Sequence, residues 1–199
     1  HRLDLKRIDF DLIRSADWVH SSGMAIVAES SARETITEII KVAYGAGVTT
    51  SFDLNLRVNN GRLDAAYKEA VLTILDSCNY VLGSGAEELY FLNPEAPWDD
   101  TARSLVRPDR TVIARMGADG SKAFAAHEEV RAEAYPVQVV DVVGAGDIYN
   151  AGFIAARLCG WGLRESSGLG NAVAGYSVSR ESARSSPCLD ELVAFLQTY

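Results

Sequence analysis

Residues 141–152 read Asp-Val-Val-Gly-Ala-Gly-Asp-Ile-Tyr-Asn-Ala-Gly. The glycines at 144 and 146 let the backbone turn tightly and leave amide hydrogens uncovered. An apolar run, 137–140, leads into the segment, and a helix is predicted to follow it to about Cys159. The amides of Gly144, Ala145 and Gly146 then sit at a helix start, where the dipole favours negative charge. An anion, or an oxygen on which charge develops, can rest there. Asp147 falls in the first turn of the same helix. A carboxylate at that place can take a proton from a hydroxyl that attacks phosphorus. The same spacing also describes an ordinary strand–turn–helix junction with an acidic first turn. It is not the Rossmann GxGxxG, because Gly152 comes too late, and no Gly-Lys-Ser/Thr follows to make a Walker A loop.

Other polar groups follow predicted strands. Asp53, Asn55 and Arg57 alternate with leucines, so an extended segment would put all three on one side. Arg57 can clamp a carboxylate or phosphate as a planar fork; the plain alternative is a solvated strand end. Glu88 lies in 83–89, Gly-Ser-Gly-Ala-Glu-Glu-Leu, where an acidic first helical turn is favoured by the dipole. Arg115 precedes a turn whose Gly117 and Gly120 permit a tight reversal. Asn171 sits on a predicted helix, where a surface Asn is unremarkable. His20 reads as a strand residue, and His1 and His127 have no acidic or nucleophilic company.

These groups need a scaffold that brings strand ends together. Strands are predicted at 17–22, 48–52, 79–82 and 111–115, with an antiparallel pair at 121–126 and 130–134. Helices are predicted at 34–44, 64–76, 86–92, 98–106, 163–180 and 189–197. Ile36, Ile39, Ile40 and Ala43 have the spacing of an amphipathic helix, closed by Gly45 and Gly47. Residues 83–85 are read as a loop. Such alternation implies an α/β fold with a mostly parallel sheet covered on both faces. Ligands in such sheets bind beyond the carboxyl ends of the strands, which selects Gly23 and the segments 53–57, 83–88, 115–120 and 141–147.

Composition limits the rest. A chain of 199 residues, 48% hydrophobic and 23% charged, is read as one domain, 1–199, able to bury a core. A net charge of −8 argues against nucleic acid and against an anionic membrane surface as partners. No apolar run reaches the ~20 residues of a membrane span. Three widely spaced cysteines without a CxxC pair argue against zinc and for free thiols in a reducing, cytoplasmic setting.

Residues 141–152 closely resemble the C-terminal signature of the ribokinase-like (PfkB) carbohydrate kinases, and the similarity extends over residues 17–187. The resemblance implies a ribokinase-like, Rossmann-like sheet flanked by helices. It implies Asp147 as the base on an acceptor hydroxyl and the Gly144, Ala145 and Gly146 amides as the anion hole. Asp141 matches a position that shapes the loop and helps a monovalent cation. Asp53, Asn55 and Arg57 match the sugar-binding Asp-x-Asn-x-Arg element. Arg115, Gly117 and Gly120 match the loop around the nucleotide phosphates, and Asn171 a position near the adenine. Glu88 matches a Glu that supports magnesium through water, although Gly85 stands where Asn is usual. Ser182 replaces a glycine in 180–183, the segment associated with cation binding. His20 and Gly23 resemble a strand end in the substrate half.

The implied cofactors are ATP and Mg2+, with a monovalent cation. The implied reaction phosphorylates a primary hydroxyl of a small sugar or sugar acid. Val143 in place of Thr resembles the 2-keto-3-deoxygluconate kinase branch; fructose or another keto sugar is the alternative. Family members carry further N-terminal strands and a β lid ahead of the equivalent of Asp17. This reading therefore expects a truncated chain without the lid, an open sheet edge, and self-association into a homo-oligomer. A nucleotide-binding remnant that is inactive or regulatory is the reading from another class. An unrelated nucleotide-binding α/β domain, recognisable by a different strand order, is a third.

Overall fold

The computed structural model describes residues 3–181 and 185–199. Among them the strands are β1 (Trp18–Ser22), β2 (Thr49–Asp53), β3 (Tyr80–Ser84), β4 (Thr111–Arg115), β5 (Ser121–Phe124) and β6 (Glu129–Ala132). They form one mostly parallel sheet in that order, flanked by helices. The helices are α1 (Phe10–Arg14), α2 (Ser31–Gly45), α3 (Ala65–Leu75), α4 (Tyr90–Leu92), α5 (Trp98–Leu105), α6 (Ala145–Leu158), α7 (Leu163–Val178) and α8 (Leu189–Leu196). The chain divides into two compact units, one ending at Ile113 and the other spanning Ala114–Tyr199. No helix among the described residues is long and apolar enough to cross a membrane.

In the first unit, β1, β2 and β3 pair in parallel, with Ser22 opposite Asp53 and Asp53 opposite Leu82. One face of the three strands is tied across. The Trp18 indole donates to Ser51 Oγ at 2.7 Å, His20 Nδ1 lies 2.7 Å from the same hydroxyl, and Trp18 stacks on Tyr80 at 4.9 Å. His20 is thus a strand residue, as its sequence suggests. The apolar stripe of α2 buries Ala32, Ile40 and Ala43, and Gly47 adopts the left-handed conformation (φ 79°) just beyond its end. Asp64 starts α3 by accepting the Tyr67 amide at 2.8 Å, which supplies one of the acceptors that a helix start lacks. Tyr67, Val71, Ile74 and Leu75 turn inward from it.

In the second unit, β5 and β6 make the expected antiparallel hairpin. Helices α6 and α7 pack so closely that a Cβ at Gly152 would lie 2.5 Å from Val173 Cγ2. Tyr149 is buried on α6, and its hydroxyl donates to Ser121 Oγ at 2.9 Å. Phe195 brings α8 into a ring cluster with Tyr135, Tyr176 and Tyr199, at centroid distances of 5.4, 5.9 and 5.1 Å.

Two expectations change. Residues 83–85 are not a loop: β3 runs to Ser84, and Gly85 opens a π-helical turn, Gly85–Leu89, that passes directly into α4. The apolar run before residue 141 is not a strand. Val139, Val140, Val142 and Val143 are 51–65% exposed, and the Val140 and Asp141 amides both donate to the Val178 carbonyl at the end of α7. β-Branched residues favour a strand only where a neighbouring strand offers a pleated surface to pack on. Residues His1, Ser182 and Ala183 lie outside the described residues.

Two measurements test this packing. Burial pushes the Cys78 thiol up to about 12, so it stays protonated and inert. A thiol reagent should modify the exposed Cys159 and Cys188 in the native chain and reach Cys78 only on denaturation. Prompt native labelling of Cys78 would contradict the burial. Asp64→Ala should lower stability by about 1 kcal/mol in chemical denaturation through loss of the α3 cap.

Candidate active site

The first unit carries predicted site residues at the ends of β1, β2 and β3. Asp53 closes β2 and is only 2% exposed. The ladder continues one residue further, where the Leu54 amide donates to the Leu82 carbonyl at 2.7 Å. Asn55 then takes a left-handed conformation (φ 35°) and the chain turns. The segment therefore does not stay extended, and Asp53, Asn55 and Arg57 do not share one side as simple alternation predicts. Asp53 is enclosed, Asn55 is half-buried and Arg57 is exposed, while Leu54 and Leu56 face the core. The Arg57 guanidinium rests against the Met24 thioether at 2.8 Å.

Close approach fixes this segment from below. A Cβ at Gly23 would lie 2.0 Å from the Leu54 carbonyl oxygen, and one at Gly83 would lie 2.7 Å from Leu54 Cδ1. Tyr67 presents its hydroxyl to the same place, 2.9 Å from where a Gly23 Cβ would stand, and burial pushes that phenol up. Glu88 holds the segment from the other side. Its Oε1 accepts the Leu56 amide at 2.8 Å and its Oε2 accepts the Ser84 amide at 2.6 Å. Both oxygens of Glu88 thus accept backbone amides. Among the described residues, no three His, Cys, Asp or Glu side chains gather as a metal cage. Magnesium is commonly held by one or two carboxylates, waters and substrate phosphates, which the lack of such a cage leaves open to Glu88 and Asp141.

The second unit carries the glycine-rich segment. Gly144 is the N-cap of α6 and is left-handed (φ 81°), a conformation that L side chains rarely adopt. Asp141 shapes the approach, its Oδ1 accepting the Val143 amide at 2.9 Å. The Ala145 amide donates to the Val142 carbonyl at 3.2 Å, which removes it from the predicted anion hole. Gly146 and Asp147 then supply the first-turn amides that a helix leaves without an intrahelical acceptor. The Asp147 side chain is exposed in that turn.

Arg115, at the end of β4, lies on the same turn. Its Nη1 donates to the Gly146 carbonyl at 3.2 Å and to Asn150 Oδ1 at 2.7 Å. A Cβ at Gly146 would meet that guanidinium at 3.2 Å. A cation and first-turn amides beside one glycine form a donor set that fits a phosphate chain. After Arg115 the chain reverses through Gly117 (φ 57°) and Gly120 (φ 81°), with the Met116 amide donating to the Gly120 carbonyl at 2.8 Å.

Asn171 is 7% exposed, and its amide nitrogen donates to the carbonyls of Ala132 and Glu133 at 2.9 and 3.1 Å. Those donors tie α7 to the end of β6. Asn150 was not among the predicted site residues. Its signal was present: a polar residue one turn after Asp147, on the inward face of α6. Its partner Arg115 lies 35 residues away, beyond the reach of local pattern.

Comparison with known proteins follows the same lines. The pfkB family of carbohydrate kinases matches residues 1–190. An ATP-dependent ribose-1-phosphate kinase of Halopiger xanaduensis is 31% identical over 191 residues, covering 96% of this chain and 58% of the relative. A 5-dehydro-2-deoxygluconokinase of Geobacillus thermodenitrificans is 27% identical over 202 residues, covering 98% of this chain and 60% of that relative. The chain thus spans about three fifths of the length of these curated relatives. Among solved structures, an apo E. coli chain described as a ribokinase II superposes with a TM-score of 0.89 at 23% identity, covering 100% of this chain and 64% of its own. A ribokinase II from E. coli in complex with ATP and Mg2+ gives 0.85 at 20% identity, covering 99% and 64%. These two likenesses concern the fold. On the match over residues 1–190, this chain belongs to the pfkB family of carbohydrate kinases.

Proposed function

We propose that this chain carries the nucleotide-binding and proton-accepting part of a kinase that phosphorylates a primary hydroxyl of a small sugar or sugar acid with ATP. The observation that carries the reading is the α6 start: the left-handed Gly144, the first-turn amides of Gly146 and Asp147, and Arg115 held on the same turn. ATP, with its accompanying Mg2+, supplies the γ-phosphoryl group. Asp147 takes the proton of the acceptor hydroxyl as the new O–P bond forms and the bond to the leaving ADP oxygen breaks. The first-turn amides and Arg115 hold negative charge where it develops. Gly117 and Gly120 let the 116–120 turn come close to the phosphates.

The favoured acceptor is 2-keto-3-deoxygluconate. Arg57 is exposed and planar, and its fork suits a carboxylate. A relative named 5-dehydro-2-deoxygluconokinase also acts on a sugar acid. A ketose such as fructose is the alternative acceptor. A second reading, a chain that holds nucleotide without catalysis, draws on Glu88, whose oxygens accept backbone amides. A coupled assay of the full-length protein against a sugar panel separates the two readings.

Asp147→Asn in the full-length protein should cut kcat by about 10²–10⁴-fold while nucleotide affinity stays nearly unchanged. Unchanged turnover sinks the assignment of Asp147. Arg57→Lys should raise KM for a sugar acid by about tenfold, by loss of a charge-assisted hydrogen bond, and leave a neutral ketose little affected. Equal effects on both substrates would remove the case for a sugar acid.

A further inference from the structure

We infer that Glu88 is a positioning residue whose carboxylate, bridging the Leu56 and Ser84 amides, holds the Asn55–Arg57 segment in its substrate-binding conformation. The substrate part of this inference rests on the function proposed above; the bridge itself does not.

Asn55 is left-handed without being glycine, and a residue keeps that conformation when its surroundings over-determine it. The surroundings are visible on both sides. Before the turn, the Leu54 carbonyl lies on Gly23, closer than any side chain there would allow, and the Leu54 side chain packs on Gly83. After the turn, the Leu56 amide meets Glu88 Oε1 at 2.8 Å. Leu56 is 7% exposed, so water does not readily replace a lost acceptor at that amide. The other oxygen, at 2.6 Å from the Ser84 amide, ties the segment to the end of β3. Only a carboxylate accepts on both atoms of its fork. A Gln would turn an NH2 group toward one of the two N–H donors, and an Asp is one methylene short.

The turn that carries Glu88 is built for this reach. Gly85–Leu89 is π-helical, and from it the Glu88 side chain reaches back to the Ser84 amide. A Cβ at Gly85 would meet the Trp98 ring at 3.0–3.1 Å. The indole therefore occupies the space of the Asn that resemblance leads one to expect at 85. The same packing that excludes that Asn seats the turn from which Glu88 reaches the two amides.

The test uses the full-length protein and two readouts. In Glu88→Gln, amide hydrogen exchange of residues 54–57 and Ser84 should accelerate about tenfold or more, with α6 and α7 unchanged. In steady-state assays the sugar KM should rise about tenfold, while kcat and the Mg2+ concentration for half-maximal rate stay within about twofold. Gly23→Ala, which pushes on Leu54 without touching the carboxylate, should raise the sugar KM in the same way; it keeps the test open if Glu88→Gln folds poorly. Unchanged exchange in Glu88→Gln overturns the bridge. A shifted Mg2+ requirement with an unchanged sugar KM overturns the positioning role in favour of a metal role. If the unmodified protein phosphorylates no sugar, the proposed kinase function fails, and the exchange result alone decides the bridge.

Discussion

Parallel pairing of β1, β2 and β3 is the constraint on which the first unit depends. It sets Ser22, Asp53 and Leu82 side by side at one edge. Parallel strands need crossover connections, and here α2 and α3 supply them and seal the layer beneath. The connections that carry the predicted residues of that unit start from these adjacent strand ends. Gly23 follows β1, the Leu54–Arg57 turn follows β2, and the π turn with Glu88 follows β3. Because the strand ends are adjacent, a carbonyl from one connection can lie on a glycine of the next, and a carboxylate from the third can reach the second.

The second unit rests on a local device. The left-handed Gly144 starts a fourteen-residue helix abruptly, and the abrupt start exposes first-turn amides beside Asp147. Arg115 lies on that turn by donating to the Gly146 carbonyl and to Asn150. The partners matter chemically. An arginine fixed on a carbonyl and a buried amide oxygen keeps its charge close to the helix start, where the dipole has the same sign, and together they favour an anion.

Glu88 and Asn171, two positions that match a family pattern, both bond to backbone groups here. Glu88 accepts backbone amides of two connections, and Asn171 donates to two carbonyls at the end of β6. In both cases a polar side chain satisfies backbone groups that a turn leaves without partners inside the fold. Such duties follow from three-dimensional neighbours, and a motif comparison assigns them only by analogy.

Much of the fold was legible along the chain. The amphipathic spacing of α2, the strands around Trp18 and Val112, the β5–β6 hairpin and the glycine-bounded start of α6 are all local signals. Each depends on residues a few positions apart, and the need for glycine at 144 follows from one backbone torsion. The tertiary structure decided what local signals do not contain. The exposed valines before Asp141 have strand chemistry but no strand beside them. Asn55 turns left-handed between Leu54, which lies against Gly23 and Gly83, and Leu56, whose amide meets Glu88. Glu88 meets Leu56 across 32 residues, and Arg115 meets Asn150 across 35. The sequence by itself determined which residues can do chemistry at the start of α6. Packing between distant segments decided which cation lies on that helix start and which carboxylate accepts the Leu56 and Ser84 amides, because hydrogen-bond partners are settled by proximity in space.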